Sequence, residues 1–264
     1  VENTPGQNSN AVAELVFGLL VYGVRNFYNG KSGSELKGKK LGILAFGNVG
    51  RNVARIAKGF EMEVYAYDAF CPKEAIEAAG VKAVDSQDAL FENCDIVSLH
   101  IPATPETKQS INAALVGKLH KNGILINTAR KEVINEPELL ALMAERTDLK
   151  FITDIMPDAN EEFQKFEGRY FSTPKKMGAQ TAEANTNAGI AAAKQINAFF
   201  ADAMIVRSDK VTLEVLDAAK QLKIVVRAGA GYDNVDCVYA KEKNVVVENT
   251  PGQNSNAVAE LVFG

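Results

Sequence analysis

The chain begins and ends with the same eighteen residues. VENTPGQNSNAVAELVFG occupies residues 1–18 and recurs without a mismatch at residues 247–264. A single repeat does not make a solenoid, which needs three or more stacked units. The duplication instead predicts a circularly reordered chain, opened inside this segment, whose natural order starts near Met204 and runs through Gly264 into Leu19. Since both copies compete for one place in the fold, we expect either that one copy frays or that two chains exchange copies.

Composition excludes several classes of function. The 264 residues are 47% hydrophobic and 23% charged, which is ordinary for a globular protein. A net charge of −4 without a block of basic residues argues against a nucleic-acid or membrane partner. No apolar run reaches the roughly 18 residues of a membrane span. Three unpaired cysteines and two histidines indicate reduced thiols and no metal site. We therefore expect a cytoplasmic, metal-free protein.

Strand-like and helix-like segments alternate along the chain. The predicted strands, residues 40–46, 63–67, 95–101, 123–128 and 151–155, are apolar runs typical of strands buried on both faces of a parallel sheet. Helical patterns lie between them, and a long helix at 179–200 precedes a second, shorter βα series. This pattern predicts an α/β fold, a Rossmann-type doubly wound parallel sheet with a second, smaller and incomplete flavodoxin-like α/β domain.

A phosphate-binding turn follows the first of these strands. The segment A-F-G-N-V-G, residues 45–50, opens a helix where a dinucleotide fingerprint G-x-G-x-x-G is expected. Gly47 and Gly50 fill the second and third glycine positions, and Ala45 departs from the first. The N–H groups of Asn48 and Val49 at the helix start suit a phosphate. A carboxylate follows the next strand, where it would bind a ribose and favour NAD over NADP; that residue is Asp68.

Further segments resemble those of the D-2-hydroxyacid dehydrogenases. In circular order they are IVRSDKV (205–211), VVRAGAGYDNVD (225–236), NTPGQN and VAEL in both copies, LGILAFGNVG (41–50), DIVSLHIPATPET (95–107), INTAR (126–130), ITDI (152–155) and TPKKMGAQT (173–181). They cover nearly the whole chain, and they follow the family's order only when the chain is read circularly. The resemblance implies hydride transfer between NAD and C2 of a 2-hydroxyacid, and a homodimer formed through the cofactor domain.

The resemblance also implies the catalytic residues. Arg130 matches the arginine that orients the substrate and polarises its carbonyl. Lys176 stands where the family usually has the acid/base histidine, and the glutamate that pairs with this histidine would fall on Ala159; its role is not transferred to Glu161 or Glu162. We therefore expect Lys176 to act as the acid/base, with an alkaline optimum for oxidation, because a free lysine has a pKa of about 10.4. The alternative is that this lysine, or Lys175, only binds the substrate anion.

Other residues acquire binding roles from the resemblance. Asp154 would hold the nicotinamide carboxamide, and Lys131, where the family often has glycine, would alter access beside the catalytic arginine. The cofactor wall would include His100, Pro102, Thr104, Asn127, Thr128 and Gly178. The substrate side would include a glycine-rich anion nest and a phosphate-binding arginine, although the arginine also suits an ordinary strand end. These substrate residues are Arg207, Ser208, Ala228, Gly229, Ala230 and, in the hinge, Asn254.

The implied reaction is NAD-dependent oxidation of D-3-phosphoglycerate to 3-phosphohydroxypyruvate, a step toward serine. The alternatives are another D-2-hydroxyacid dehydrogenase and an NAD-binding scaffold or sensor without turnover. The predicted domains are a hinge at residues 1–8, an NAD-binding domain at 9–175, a partial substrate-binding domain at 176–249 and the second repeat copy at 250–264. About fifty residues of the family's smaller domain are expected to be missing before Met204.

Overall fold

The chain folds into two α/β units, as the sequence pattern predicts. The computed structural model describes residues 4–198, 203–206, 210–219, 222–228 and 231–250. The larger unit comprises Pro5–Asn185, and the smaller one takes in Thr4 and the described residues from Thr186 onward. None of the described helices is long and apolar enough to cross a lipid bilayer. The predicted fold class, a Rossmann-type parallel sheet with a smaller α/β domain, is confirmed.

The larger unit contains a seven-stranded parallel sheet in the order β3-β2-β1-β4-β5-β6-β7. Its strands are β1 (Lys40–Leu44), β2 (Glu63–Tyr67), β3 (Lys82–Ala83), β4 (Ile96–Leu99), β5 (Ile124–Asn127), β6 (Lys150–Thr153) and β7 (Tyr170–Ser172). The strand order reverses between β1 and β4, which places the switch point of the fold at the carboxyl ends of these two strands. Doubly wound folds bind their ligands at this point.

Eight helices accompany the seven strands in the described chain. They are α1 (Ser9–Val24), α2 (Asn48–Gly59), α3 (Lys73–Ala78), α4 (Gln87–Asn93), α5 (Ala113–Val116), α6 (Glu136–Glu145), α7 (Asn160–Gln164) and α8 (Ala182–Ala198), with short 3₁₀ turns at Asn26–Tyr28 and Lys131–Val133. The boundary between the two units falls within α8.

Two apolar clusters, one containing α1 and α2 and the other α4 to α6, hold this unit together. The central strands β4 and β5 are buried at every position, which explains why their sequences run apolar without alternation. Helix α1 packs so closely that a Cβ on Gly23 would lie 2.2 Å from Ile152 of β6. Leu20 and Val16 of the same helix are fully buried. Each such side chain contributes about 1.5–3 kcal/mol to stability.

The smaller unit contains a three-stranded parallel sheet in the order β10-β9-β8. Its elements are β8 (Ala203–Val206), α9 (Leu213–Ala218), β9 (Ile224–Arg227), α10 (Cys237–Glu242) and β10 (Val246–Asn249). A small apolar core, which includes Val206, Leu216 and Val225, packs between them. This is the βα series that the sequence predicts after the long helix.

The described parts of the two repeat copies occupy different places. In the first copy, residues 9–18 form most of α1 and pack into the larger unit. In the second copy, Val247 to Asn249 belong to β10 of the smaller sheet. Residues 1–3 and 251–264 lie outside the described residues. Within the described chain, the first copy thus contributes to the larger unit and the second copy to the smaller unit.

The geometry of the turn between β1 and α2 predicts how substitutions at Gly50 and Ala45 change the free energy of unfolding. A Cβ on Gly50 would lie 2.4 Å from the carbonyl oxygen of Ala45, so Gly50→Ala should cost about 1–3 kcal/mol through overpacking. Ala45 itself has a left-handed φ of +78°. Ala45→Gly should therefore be neutral or stabilising by about 1 kcal/mol. Urea unfolding of the two variants measures both effects, and equal unfolding midpoints would contradict this account of the turn.

Candidate active site

The turn after β1 leaves the start of α2 open to an anion. Gly47 occupies the N-cap position in an extended conformation, and no side chain caps the helix. A Cβ added at Gly47 would meet nothing within 4 Å. The first-turn N–H groups of Asn48, Val49 and Gly50 are therefore available to a phosphate, which the helix dipole also attracts.

Asp68 lies beside this turn at the end of β2. Its Oδ2 accepts a hydrogen bond of 2.6 Å from the backbone N–H of Phe46, and its Oδ1 accepts from Phe70 and Cys71 at 2.7 and 2.9 Å. The carboxylate thus holds the turn in place. Since each carboxylate oxygen accepts more than one hydrogen bond, it retains capacity for a ribose hydroxyl.

A dinucleotide cofactor fits the residues along this edge of the sheet. The uncapped helix suits a pyrophosphate, and Asp68 suits the adjacent ribose. Beyond the reversal of strand order, the Thr128 hydroxyl is buried and has no hydrogen-bond partner within the described residues. A buried hydroxyl without a partner is costly, which favours a ligand that supplies one.

The loop after β4 contains His100, Pro102 and Thr104. The His100 ring bonds to the Ser98 hydroxyl at 2.9 Å, and burial lowers the pKa of His100 to about 3. This histidine is therefore neutral at physiological pH, as suits a wall and not a proton carrier. Thr107 fixes the loop, because its hydroxyl donates to the Pro102 carbonyl at 2.6 Å and accepts from the Thr104 N–H at 2.8 Å.

Two cations meet at one carbonyl oxygen between the loops after β5 and β7. Lys176 Nζ and Arg130 Nη1 both donate to the oxygen of Ala129, at 3.0 and 2.8 Å. Partial burial of the ammonium, followed by the charge of Arg130, lowers the pKa of Lys176. The two predicted catalytic residues are thus brought together, and the lysine is easier to deprotonate than a free one.

Two buried polar side chains fix these loops. Asn127 accepts from the Ala129 N–H and donates to the Arg130 carbonyl, both at 2.9 Å. Asp154 is fully buried, and its carboxylate accepts from the Thr173 hydroxyl at 3.0 Å. The same carboxylate accepts from the backbone N–H groups of Met177 and Gly178, at 2.8 Å each. Its predicted bond to the nicotinamide carboxamide would be shared with these donors.

The carboxylates around Lys176 differ from the family's usual pair. Ala159, where the pairing glutamate would fall, has no carboxylate, and its N–H donates to Glu136 at 2.8 Å. Both Asp154 and Glu132 raise the pKa of Lys176 and so oppose its deprotonation. Sequence reasoning missed Glu132, although its position two residues after Arg130 was a usable signal. The exposed Glu161 and Glu162 lie in the first turn of α7, and Lys131 is ion-paired with Asp158.

Of the predicted substrate residues, the structure describes Ala228. In the smaller unit, the Ala228 N–H bonds to the Val206 carbonyl at 2.8 Å, which puts Ala228 just past the end of β9. The remaining residues predicted for this side lie outside the described residues: Arg207, Ser208, Gly229, Ala230 and Asn254.

Two family models match the chain. The NAD-binding domain of D-isomer specific 2-hydroxyacid dehydrogenases matches residues 23–174, and the catalytic domain of the same enzymes matches residues 200–263. The permuted order, with the cofactor domain first, is confirmed, and so is NAD as the predicted cofactor.

Individual relatives include enzymes with different substrates. D-3-phosphoglycerate dehydrogenase of Methanocaldococcus jannaschii is 32% identical over 74% of this chain and 40% of its own length. Hydroxypyruvate reductase of Thermotoga maritima is 35% identical over 74% of this chain and 68% of its own length. A crystal structure of NAD⁺-bound 3-phosphoglycerate dehydrogenase from Entamoeba histolytica has a TM-score of 0.69 and 46% identity, over 75% of this chain and 63% of that one. The chain thus spans half or less of the first curated relatives.

The lowered pKa of His100 predicts how the stability of the fold depends on pH. The unfolded chain binds a proton at this histidine below about pH 6.5, whereas the folded chain binds it only near pH 3. Because the unfolded state holds more protons between these values, His100 should make stability fall as pH drops below about 6.5.

Urea unfolding at pH 7 and pH 4.5 measures the effect. Wild type should lose more stability over this interval than His100→Gln, which retains every other titrating group. A His100 ring signal that titrates near pH 6.5 in NMR spectra would contradict the prediction.

Proposed function

The chain belongs to the D-isomer specific 2-hydroxyacid dehydrogenase family, and we propose that it oxidises a 2-hydroxyacid at C2. The observation that supports this most is the convergence of Lys176 and Arg130 on the Ala129 carbonyl. Two cations at the carboxyl edge of the sheet suit a substrate that presents a carboxylate and a hydroxyl side by side. NAD, when bound, accepts the hydride from C2.

We assign Arg130 to the substrate carboxylate and to the oxygen that becomes a carbonyl. Its side chain extends from a loop fixed by Asn127, and a guanidinium offers a planar pair of donors. A positive charge held near the developing C2 oxygen stabilises the transition state more than the ground state. Arginine stays protonated throughout, so it cannot also accept the hydroxyl proton.

We assign proton transfer to Lys176. Its neutral amine takes the hydroxyl proton as the hydride leaves C2, and the resulting ammonium returns that proton in the reverse reaction. Burial and Arg130 lower its pKa, which enlarges the neutral fraction, whereas Asp154 and Glu132 oppose this shift. The rate of oxidation should therefore rise with pH until the amine is neutral.

We further propose D-3-phosphoglycerate as the substrate, and a homodimer as the working form. Relatives named as D-3-phosphoglycerate dehydrogenases support the substrate, as do Arg207 and Ser208 in the sequence. Relatives named for hydroxypyruvate and glyoxylate keep a different 2-hydroxyacid as the second candidate.

Replacing Lys176 tests the proton-transfer role. Lys176→Met should lower kcat for oxidation by about 10²–10⁴-fold, because general acid–base catalysis contributes that much. It should also remove the rise of kcat with pH, which a residue that only binds the substrate anion would not do. Lys175→Met is the matched neighbour, and an equal loss there, or an unchanged pH profile in Lys176→Met, would contradict the assignment.

Substrate choice is tested by NADH formation from D-3-phosphoglycerate, D-glycerate and D-lactate. The phosphorylated acid should give the highest kcat/KM, because Arg207 would pair with its phosphate. A higher value for either other acid would contradict the phosphoglycerate proposal. Quenching of NADH fluorescence without turnover of any of the three acids would favour a scaffold or sensor.

A further inference from the structure

A polar cavity of about 370 Å³ opens at the edge of the large sheet opposite the nucleotide turn. It lies where β1, β4, β5 and β6 begin, whereas the candidate active site lies where they end. The strand β6 separates Lys150 at the cavity from Asp154 at the active site by about 13 Å. Three lysines, Lys39, Lys121 and Lys150, line the cavity.

The ammonium of Lys150 is only partly satisfied. It donates to the Gly23 carbonyl and to Asn26 Oδ1, both at 2.8 Å, and lies 5.6 Å from the centre of the Phe27 ring, so its third proton has no oxygen acceptor among the described residues. In the described chain it forms no ion pair, and burial lowers its pKa. A half-buried charge of this kind is usually neutralised by a nearby anion.

The two carboxylates at the cavity are already engaged by other groups. Asp148 receives two hydrogen bonds from Arg146, at 3.1 and 2.7 Å. Asp95 accepts from the Lys40 N–H at 2.8 Å and is hydrogen-bonded to the His120 ring at 3.0 Å. Burial opposes ionisation of Asp95, but the hydrogen bonds from the Lys40 N–H and His120, with a smaller effect of the Lys39 charge, lower its pKa. No direct ion pair joins Lys39 to Asp95 among the described residues. Three lysines therefore face two carboxylates in the cavity lining, and one of these carboxylates is ion-paired with Arg146.

The outer wall of the cavity is a tight turn that contributes two serine hydroxyls. Asn26 Nδ2 donates to the Ser32 carbonyl at 2.7 Å, and the Ser34 N–H bonds to the Val24 carbonyl at 2.8 Å. A Cβ on Gly33 would lie 2.5 Å from that Val24 carbonyl, so only glycine permits this close fold. The hydroxyls of Ser32 and Ser34 make no hydrogen bond within the described residues and are free to donate to a ligand.

We propose that this cavity binds a small phosphate oxyanion through Lys150, Lys121, Lys39 and the two serine hydroxyls. The donors are numerous, the net charge is positive and the volume accommodates a phosphate with a short organic group. Inorganic phosphate and a phosphate monoester share this chemistry. The site is separate from the nucleotide turn and does not depend on the proposed dehydrogenase activity.

Amide NMR of the whole chain tests the site. Inorganic phosphate and glycerol 3-phosphate are titrated separately, at constant ionic strength and with saturating NAD⁺ to fill the nucleotide turn. We expect saturable shifts at Ser32, Gly33, Ser34 and Asn122. Tighter binding of the monoester would identify an organic phosphate as the ligand, and tighter binding of the free ion would identify inorganic phosphate.

Charge-removing variants decide the outcome. Lys150→Met removes the ammonium that lies 5.6 Å from the centre of the Phe27 ring and should weaken phosphate binding about tenfold. Lys121→Met should have the same effect, and the exposed Lys121 side chain makes no hydrogen bond or ion pair among the described residues, so its loss should not prevent folding. Lys241→Met removes the same charge from the smaller unit and should leave binding unchanged. The proposal is overturned if no saturable shift occurs at the cavity, if shifts occur only at residues 47–50, or if Lys121→Met binds phosphate like wild type.

Discussion

The buried carboxylate of Asp154 is the interaction on which the candidate active site depends. A charge that is 0% exposed is tolerable only when hydrogen bonds replace its lost water, and three donors from the loop after β7 do so. The same bonds fix the backbone on both sides of Lys176. Asn127 fixes the loop that contains Arg130 in the same way, with both ends of its amide. The positions of Arg130 and Lys176 are therefore set by Asn127 and Asp154, which are buried beneath the two loops.

Sequence reasoning predicted the main elements because long apolar runs and helical periodicity dominate them. Strands β1, β4, β5 and β6 bury nearly every residue, so their pattern was unambiguous. It missed β3 and β7, which are two and three residues long and partly exposed, and the one-turn helices α5 and α7. Elements this short have no complete period, and their conformation is set by packing against neighbours.

The same difference applies to the functional residues. Arg130, Lys176 and the turn at residues 45–50 sit in contiguous motifs, so the sequence pointed to them directly. The carboxylates that oppose deprotonation of Lys176, and the engagement of both Asp154 oxygens, depend on contacts between segments 20 to 45 residues apart. The lysine-lined cavity joins residues as distant as Val24 and Lys150 and corresponds to no motif. Such sites arise from the order of the strands, which a local pattern does not encode.

The described parts of the two repeat copies belong to different units, and this determines which substitutions each part can accept. Val12 and Val16 of the first copy are held by the tight interior around α1, where a polar replacement would be destabilising. In the second copy, Val247 and Glu248 are constrained instead by their pairing register with β9. A substitution in residues 9–18 is therefore limited by packing around α1, and one in residues 247–249 by pairing with β9. The two halves of the repeat that the structure describes are thus under separate physical constraints, one from core packing in the larger unit and one from strand pairing in the smaller unit.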